Sequence, residues 1–378
     1  MSWLDVPALL TAAVWLVLVL AHGRFWTTAV RLPQRPPPAR WPSVAIVVPA
    51  RDEAALLPQT LPPLLAQEYP GPLRVVLADD GSTDGTGELA RALGAGARVP
   101  LTVVDVPDRP VGWAGKVWAQ EQALARTADA EWVLLTDADI AHPPDAVAAL
   151  VSAAVADDRD LVSLMVRLRT ETVWERLVVP AFVYFFAQLY PFRWVAAGRV
   201  AAAAGGCVLV RRAVLEAAGG VAAVRGAVID DVALAGAVHR AGGRLWLGLA
   251  TQVRSVRPYP RLADLWSMVA RSAYTQLRHS PALLAGTVAG LLLVYVAPVA
   301  CCLAGLATGA PVAAVAGGLA WSLMTASYLP QVRHHRQPAA LALTLPLVAV
   351  LYLLMTLDSA RRSRAGRGAT WKGRAAVG

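Results

Sequence analysis

The sequence predicts an α/β domain built on a mainly parallel sheet, with transmembrane helices at both ends of the chain. Three observations predict it. Hydrophobic residues make up 56% of the 378 positions and mean hydropathy is +0.48, too apolar for an ordinary soluble domain. That excess is concentrated at residues 1–20 and 282–357, the latter broken by one basic island, Arg333-His334-His335-Arg336. Between them charge density is normal, and short apolar runs alternate with helical stretches, the pattern of strands covered on both faces.

Taken in order, the first apolar segment covers about residues 6–21 and is short for a hydrocarbon layer of ~30 Å. No basic stretch precedes it and no small-x-small cleavage site follows, so it reads as an anchor rather than a leader. Arg24, Arg31, Arg35 and Arg40 come next, and the positive-inside rule holds the following domain in the cytoplasm. Residues 31–40 are proline-rich, a stiff extended linker. Strands follow at 44–48, 73–78, 101–105, 132–135 and 161–165, with helices at 114–127 and 145–156 among them. The apolar stretch 177–190 contains Pro180 and Gln188 and would reach only about 24 Å. It fits a helix lying on the bilayer over about 173–192, the alternative being a buried core helix. Runs at 282–306, 311–329 and 339–357 are each long enough to cross.

The resulting division is an anchor at 1–22, a linker at 23–42, a catalytic domain at 43–280, a membrane region of about three helices at 281–358 and a basic tail at 359–378. Four crossings would put Arg361, Arg362, Arg364, Lys372 and Arg374 outside, against the positive-inside rule. The crossing number and the side of the tail stay open.

The formal charge is +9, from 35 basic and 26 acidic residues. Much of the excess flanks apolar segments, where arginine pairs with anionic headgroups, and no nucleic-acid motif accompanies it. The expected partner is the bilayer and not a nucleic acid. The three cysteines, Cys207, Cys301 and Cys302, have no metal-ligand spacing.

Four polar clusters fall where strands end or helices begin. Asp137-Ala-Asp139 closes the run 132–135. Ligands of open α/β sheets bind beyond the carboxyl ends of the strands, and carboxylates on alternate residues suit a hard divalent cation carrying a diphosphate. The plainer reading is a solvated turn with a helix cap. Pro49-Ala-Arg-Asp-Glu53 follows the first strand, and Asp79-Asp-Gly-Ser-Thr-Asp-Gly-Thr86 follows the second. Small residues and aspartates there admit a base and ribose, or simply make a capped turn. Ile229-Asp-Asp-Val-Ala-Leu234 opens a helix. One aspartate would serve as its cap; two exceed that need, and their repulsion should raise one pKa toward the range of a general base.

Two further features join them. Lys116 follows Gly115 at a helix start, which suits an anion held by backbone amides and an ammonium, or a solvated surface lysine. Gly205-Gly206-Cys207 permits close approach of acceptor or donor sugar, or marks a strand bulge.

In this order the motifs Pro-Ala-Arg-x-Glu, Asp-Asp-x-Ser-x-Asp-Gly-Thr, Asp-x-Asp and an acidic pair with Leu234 three residues after Asp231 resemble the family-2 glycosyltransferases of GT-A fold, over residues 44–278. The resemblance implies that Pro49, Arg51, Glu53 and Asp80, with Asp79 beside them, hold the nucleoside of a nucleotide-sugar donor. It implies that Asp137 meets ribose or diphosphate, that Asp139, with Asp137, holds Mg or Mn, and that Asp231, next to Asp230, is the general base. Arg271 would reach the diphosphate from the helix beginning at Leu262. One base and no enzymic nucleophile imply inversion.

The phrases Gly112-Trp-Ala-Gly-Lys-Val-Trp-Ala119, Leu161-Val-Ser-Leu-Met-Val-Arg167, Ala203-Ala-Gly-Gly-Cys-Val-Leu-Val210, Ala273-Tyr-Thr-Gln-Leu-Arg278, Met355-Thr-Leu-Asp-Ser359 and Trp371-Lys-Gly373 are similar to the hopene-associated glycosyltransferases. That resemblance implies a multi-pass enzyme of the bacterial inner membrane, its catalytic domain cytoplasmic and its acceptor a membrane lipid of hopanoid metabolism. A polyprenyl phosphate or ceramide-type acceptor suits the same physics, and a non-catalytic membrane scaffold is the rival from another class. Asp52 stands where the family more often has Asn. The Gln-x-x-Arg-Trp signature of processive synthases is missing, with only Arg271, Tyr274, Gln276 and Arg278 in that region. This implies a single transfer.

Overall fold

The computed structural model describes residues 2–365, 370–371 and 374–375. Lys372 and Gly373 of the expected tail lie outside the described residues. Two compact units make up the chain, one mainly from Val30–Arg169 and Trp194–Pro258, the other from Met1–Ala29, Thr170–Arg193 and Tyr259–Gly368.

The first unit is a sheet covered by helices. Its strands are β1 (Val44–Ala50), β2 (Leu73–Asp79), β3 (Leu101–Asp105), β4 (Trp132–Thr136), β5 (Ile140–Ala141), β6 (Leu161–Arg167), β7 (Cys207–Arg211) and β8 (Leu245–Ser255), in the order β3-β2-β1-β4-β7-β6-β8-β5. Every residue of β1 and β4 is buried, which is why both read as unbroken apolar runs rather than alternating ones. Ile46, Leu77, Leu134, Leu150 and Leu209 pack in one core between sheet and helices. Each such side chain contributes roughly 1.5–3 kcal/mol by leaving water.

The sheet is mainly parallel, as expected, but it is mixed: four strand pairings among the described residues are parallel and three antiparallel. Strands β3, β2, β1 and β4 run parallel, but β7 is antiparallel to both β4 and β6, and β5 is antiparallel to β8. This reversal shapes the site. The parallel strands end together at Ala50, Asp79 and Thr136, and β7 starts at that same edge, with Cys207 opposite Thr136. The chain just before β7 therefore arrives where the parallel strands stop.

The second unit is helical. Helices Pro281–Thr308, Pro311–His334 and Ala339–Arg364 are long and apolar enough to cross a membrane. The N-terminal helix, Asp5–Leu20, is apolar but only 16 residues long. It is tied to a π-helical turn at Leu292–Val296. There Thr11 Oγ1 donates to the Leu293 carbonyl at 2.8 Å and Trp15 Nε1 to that of Val294 at 2.7 Å. Such a turn interrupts the regular helical ladder, and side-chain donors meet its carbonyls. Helix Val173–Leu189 begins with a capping box between Thr172 and Glu175. It packs through Val178, Val179 and Tyr184, whose hydroxyl is 2.7 Å from Ser327 Oγ, and leaves Val173 and Leu189 exposed.

Candidate active site

The turns after β1 and β2 are stitched to each other. Asp52 takes a left-handed backbone (φ 49°), a conformation aspartate tolerates through local hydrogen bonding. Its amide donates to Ser82 Oγ at 2.9 Å, while Thr83 N donates to Asp52 Oδ1 at 2.8 Å. Glu53 N donates to Thr86 Oγ1 at 2.8 Å, and Ala54 N to Asp84 Oδ2 at 2.9 Å. Ser82, Asp84 and Thr86 are thus engaged in holding the turn. Arg51 lies across it, its Nη1 donating to the Asp80 carbonyl and standing 3.6 Å from that residue's carboxylate. Asp79 accepts from the amide and hydroxyl of Ser82. Pro49 sits within β1, in register with Ala78.

Beside these turns three acids gather on one lysine. Lys116, in the first turn of helix Gly115–Leu124, places Nζ 2.9 Å from Asp137 Oδ1 and 3.2 Å from Asp230 Oδ2. Burial pulls its ammonium down, but Asp137, Asp230 and Asp231 outweigh that and hold it above the ordinary lysine range. Lys116 is therefore a half-buried, carboxylate-paired cation and not a solvated surface lysine. Asp230 and Asp231 open helix Asp230–Arg240, where negative charge meets the positive end of the helix dipole. Asp231 Oδ2 accepts from Gly205 N at 2.7 Å and Oδ1 from Val232 N at 2.8 Å. Its carboxyl is pushed up to about 6, first by burial and then by Asp230, with Lys116 acting against both. Burial, rather than the expected mutual repulsion, leads.

The glycines make this approach possible. A β-carbon on Gly205 would lie 3.2 Å from both Asp231 Oδ2 and Lys116 Nζ. The turn is held from beneath by Thr136, the last residue of β4, whose hydroxyl donates to the Gly206 carbonyl at 2.8 Å and is 2.9 Å from Nε2 of buried His142. Cys207 is different. It is fully buried in the core, and burial pushes its thiol up to about 12. The structure brings its backbone, not its sulfur, to this edge. Iodoacetamide should leave Cys207 unmodified in the native protein and alkylate it only after denaturation, as read by peptide mass spectrometry.

Asp139 points elsewhere from Asp137. Its Oδ2 accepts from Ser255 Oγ at 2.7 Å and from Arg257 Nε at 3.3 Å, while Arg257 Nη2 donates to Glu53 Oε1 at 2.5 Å. Two residues just beyond the reach of the sequence reading, Ser255 and Arg257, thus join the first and third motifs. Their one signal is position: they close β8 as the other clusters close β1, β2 and β4. Arg271 follows helix Leu262–Ala270 in the helical unit.

Among the described residues no three His, Cys, Asp or Glu side chains form a ready-made metal cage. The donor set still fits a hard cation. Mg and its relatives are commonly held by one or two carboxylates, with substrate phosphates and water completing the shell, and Asp137 and Asp139 offer carboxylate oxygens at the strand ends.

Residues 42–275 match the model of glycosyltransferase-like family 2, and the chain belongs to that family. It is similar to 4,4'-diaponeurosporenoate glycosyltransferase of Staphylococcus aureus: 36% identical over 112 residues for strain bovine RF122 / ET3-1, 35% for strain USA300. Each match spans 29% of this chain and 28% of the relative. Among solved structures it is similar to mannosyltransferase PcManGT from Pyrobaculum calidifontis, in complex with GDP-Man and Mn2+. The TM-score is 0.60 at 22% identity, over 94% of this chain and 99% of that one. That likeness establishes the GT-A fold.

Proposed function

We propose that this chain is a membrane-bound, inverting glycosyltransferase that moves a sugar from a nucleotide donor to the hydroxyl of a membrane lipid. The observation that carries the reading is the meeting of Lys116 with Asp137 and Asp230, with Asp231 held beside them by the Gly205 amide. In this reading Arg51, Glu53, Asp79, Asp80 and Pro49 receive the nucleoside, and Lys116 and Asp137 face the diphosphate. Asp231 takes the proton of the acceptor hydroxyl as that oxygen attacks the anomeric carbon. Asp230 keeps Lys116 close, and Gly205 and Gly206 leave room for the acceptor. A divalent cation on Asp139 and Asp137 would neutralise charge on the departing diphosphate.

Three long apolar helices among the described residues support a bilayer location and a lipid acceptor. The relatives' name points to an acceptor of carotenoid type, and the hopene-associated phrases point to a hopanoid. The two share an isoprenoid skeleton, though the relatives' acceptor is by name a carboxylate, and an isoprenoid lipid bearing a hydroxyl is the acceptor class we assign, reached from the cytoplasmic face of a bacterial inner membrane.

A base must be ionised to accept a proton, so kcat/KM should fall as pH drops through about 6 and level off above it. The whole reading is tested in washed membranes given labelled nucleotide sugars, with Mn2+ or with chelator. Transfer of label to an apolar lipid by the wild type, absent with the Asp231→Asn variant, is the expected result. Equal labelling by both would overturn it.

A further inference from the structure

Two cations of the chain itself occupy the two aspartates of the Asp-x-Asp motif. Lys116 takes Asp137, and Arg257 takes Asp139 together with Glu53. The second pairing is largely shielded from water, with side-chain exposures of 26% for Arg257, 12% for Asp139 and 6% for Glu53. The Asp139 oxygen that meets Arg257 also accepts from Ser255 Oγ. A divalent ion bonded to that same oxygen would stand within a few ångströms of the guanidinium, at a depth where like charges repel strongly. That oxygen already accepts from two donors, so an ion takes it only by displacing one of them.

We propose that Arg257 is a resident counter-ion that competes with the divalent cation for Asp139 and yields it when the donor arrives. This rests on the glycosyltransferase reading above. A nucleoside diphosphate offers the guanidinium a planar, bidentate anionic partner of the kind arginine prefers. Arg257 therefore exchanges a carboxylate for a phosphate as the cation takes its place on Asp139. The exchange keeps local charge near balance at each stage. It makes cation and donor bind cooperatively, and it keeps Asp139 and Glu53 from standing as uncompensated buried charges in the donor-free protein. Glu53, in the turn after β1, is what holds Arg257 in reach of Asp139.

The test uses the full-length protein in detergent and reads free Mn2+ by electron paramagnetic resonance, first with Mn2+ alone and then with UDP or GDP added. Arg257→Gln and Arg257→Met are both made, so that one folded neutral variant suffices. Either should bind Mn2+ alone at least tenfold more tightly than wild type, while Arg257→Lys, which keeps the charge, should stay within about threefold of wild type. In the wild type the nucleotide should raise Mn2+ affinity at least tenfold, and in the neutral variants that gain should shrink. A neutral variant that binds Mn2+ alone no more tightly than wild type overturns the proposal, as does Arg257→Lys matching the neutral variants. Asp139→Asn separates the two readings. If it leaves Mn2+ binding intact, the assignment of the metal site fails; if it weakens binding but neutralising Arg257 strengthens nothing, only the counter-ion role fails.

Discussion

Asp231→Asn is expected to lose about two orders of magnitude or more in turnover while the folded protein becomes more stable near neutral pH. The two effects have one cause. Asp231 is half-buried beside Asp230, and its carboxyl is pushed up to about 6 from an ordinary value near 3.8. Between those two values the folded protein holds a proton on this residue that the unfolded chain has released. Stability therefore falls as pH rises through that window, and the deficit persists above it. Asparagine keeps the shape of the side chain and can accept from Gly205 N through its carbonyl, at the loss of the bond from Val232 N, but it carries no charge to desolvate and takes up no proton. Thermal unfolding at pH 7.5 should show a melting temperature at or above that of the wild type. At pH 4, where the wild-type carboxyl is itself protonated, the advantage should vanish. Nucleotide affinity, measured by calorimetry, should be largely kept. A stable, donor-binding, inactive variant would separate loss of a base from loss of fold. Turnover within a few-fold of wild type would remove Asp231 from the chemistry.

How much of this was legible in the residues depended on how far apart the partners lie. Strands β1, β2, β4 and β6 announced themselves because strands buried on both faces are nearly uninterrupted apolar runs, while β3, part-buried throughout, showed only as a short β-branched run. Three of the acidic clusters were legible because each follows a buried strand, the fourth because it opens a helix. The antiparallel direction of β7 was not legible. Its five residues, Cys207–Arg211, read the same whichever way they pair. β8 was hidden by its change of character: six buried residues, then a stretch with exposed Thr251, Gln252 and Arg254. Arg257 was out of reach for a different reason. Its carboxylate partners lie 118 and 204 residues away, and an arginine before a proline carries no local sign of either. Cys207 failed in the opposite sense. It stands beside two glycines that do reach the site, but as the first residue of β7 its side chain enters the core.

Lys116→Met is the second large effect, and it acts on fold and chemistry together. The ammonium is the shared partner of Asp137 and Asp230, with side-chain exposures of 17% for the lysine, 35% for Asp137 and 18% for Asp230. Removing one member of a buried charge network strands the others and typically costs about 3–5 kcal/mol; the partial exposure of Asp137 argues for the lower end, about 3 kcal/mol. The stranded carboxylates can be relieved by protonation, so the loss should be largest above pH 7 and shrink in mild acid. The chemistry shifts in a defined direction. Lys116 lowers the Asp231 carboxyl against burial and Asp230, so without it that carboxyl rises further and the acid limb of kcat/KM moves to higher pH. Arginine should not rescue the variant. Even a methyl group on Gly205 would come within 3.2 Å of the lysine nitrogen, and a planar guanidinium is larger than that gap admits. An acid limb that stays near 6 in Lys116→Met, with stability unchanged across pH, would mean that the three carboxylates do not feel this lysine, and the cluster would lose its claim to be the reacting centre.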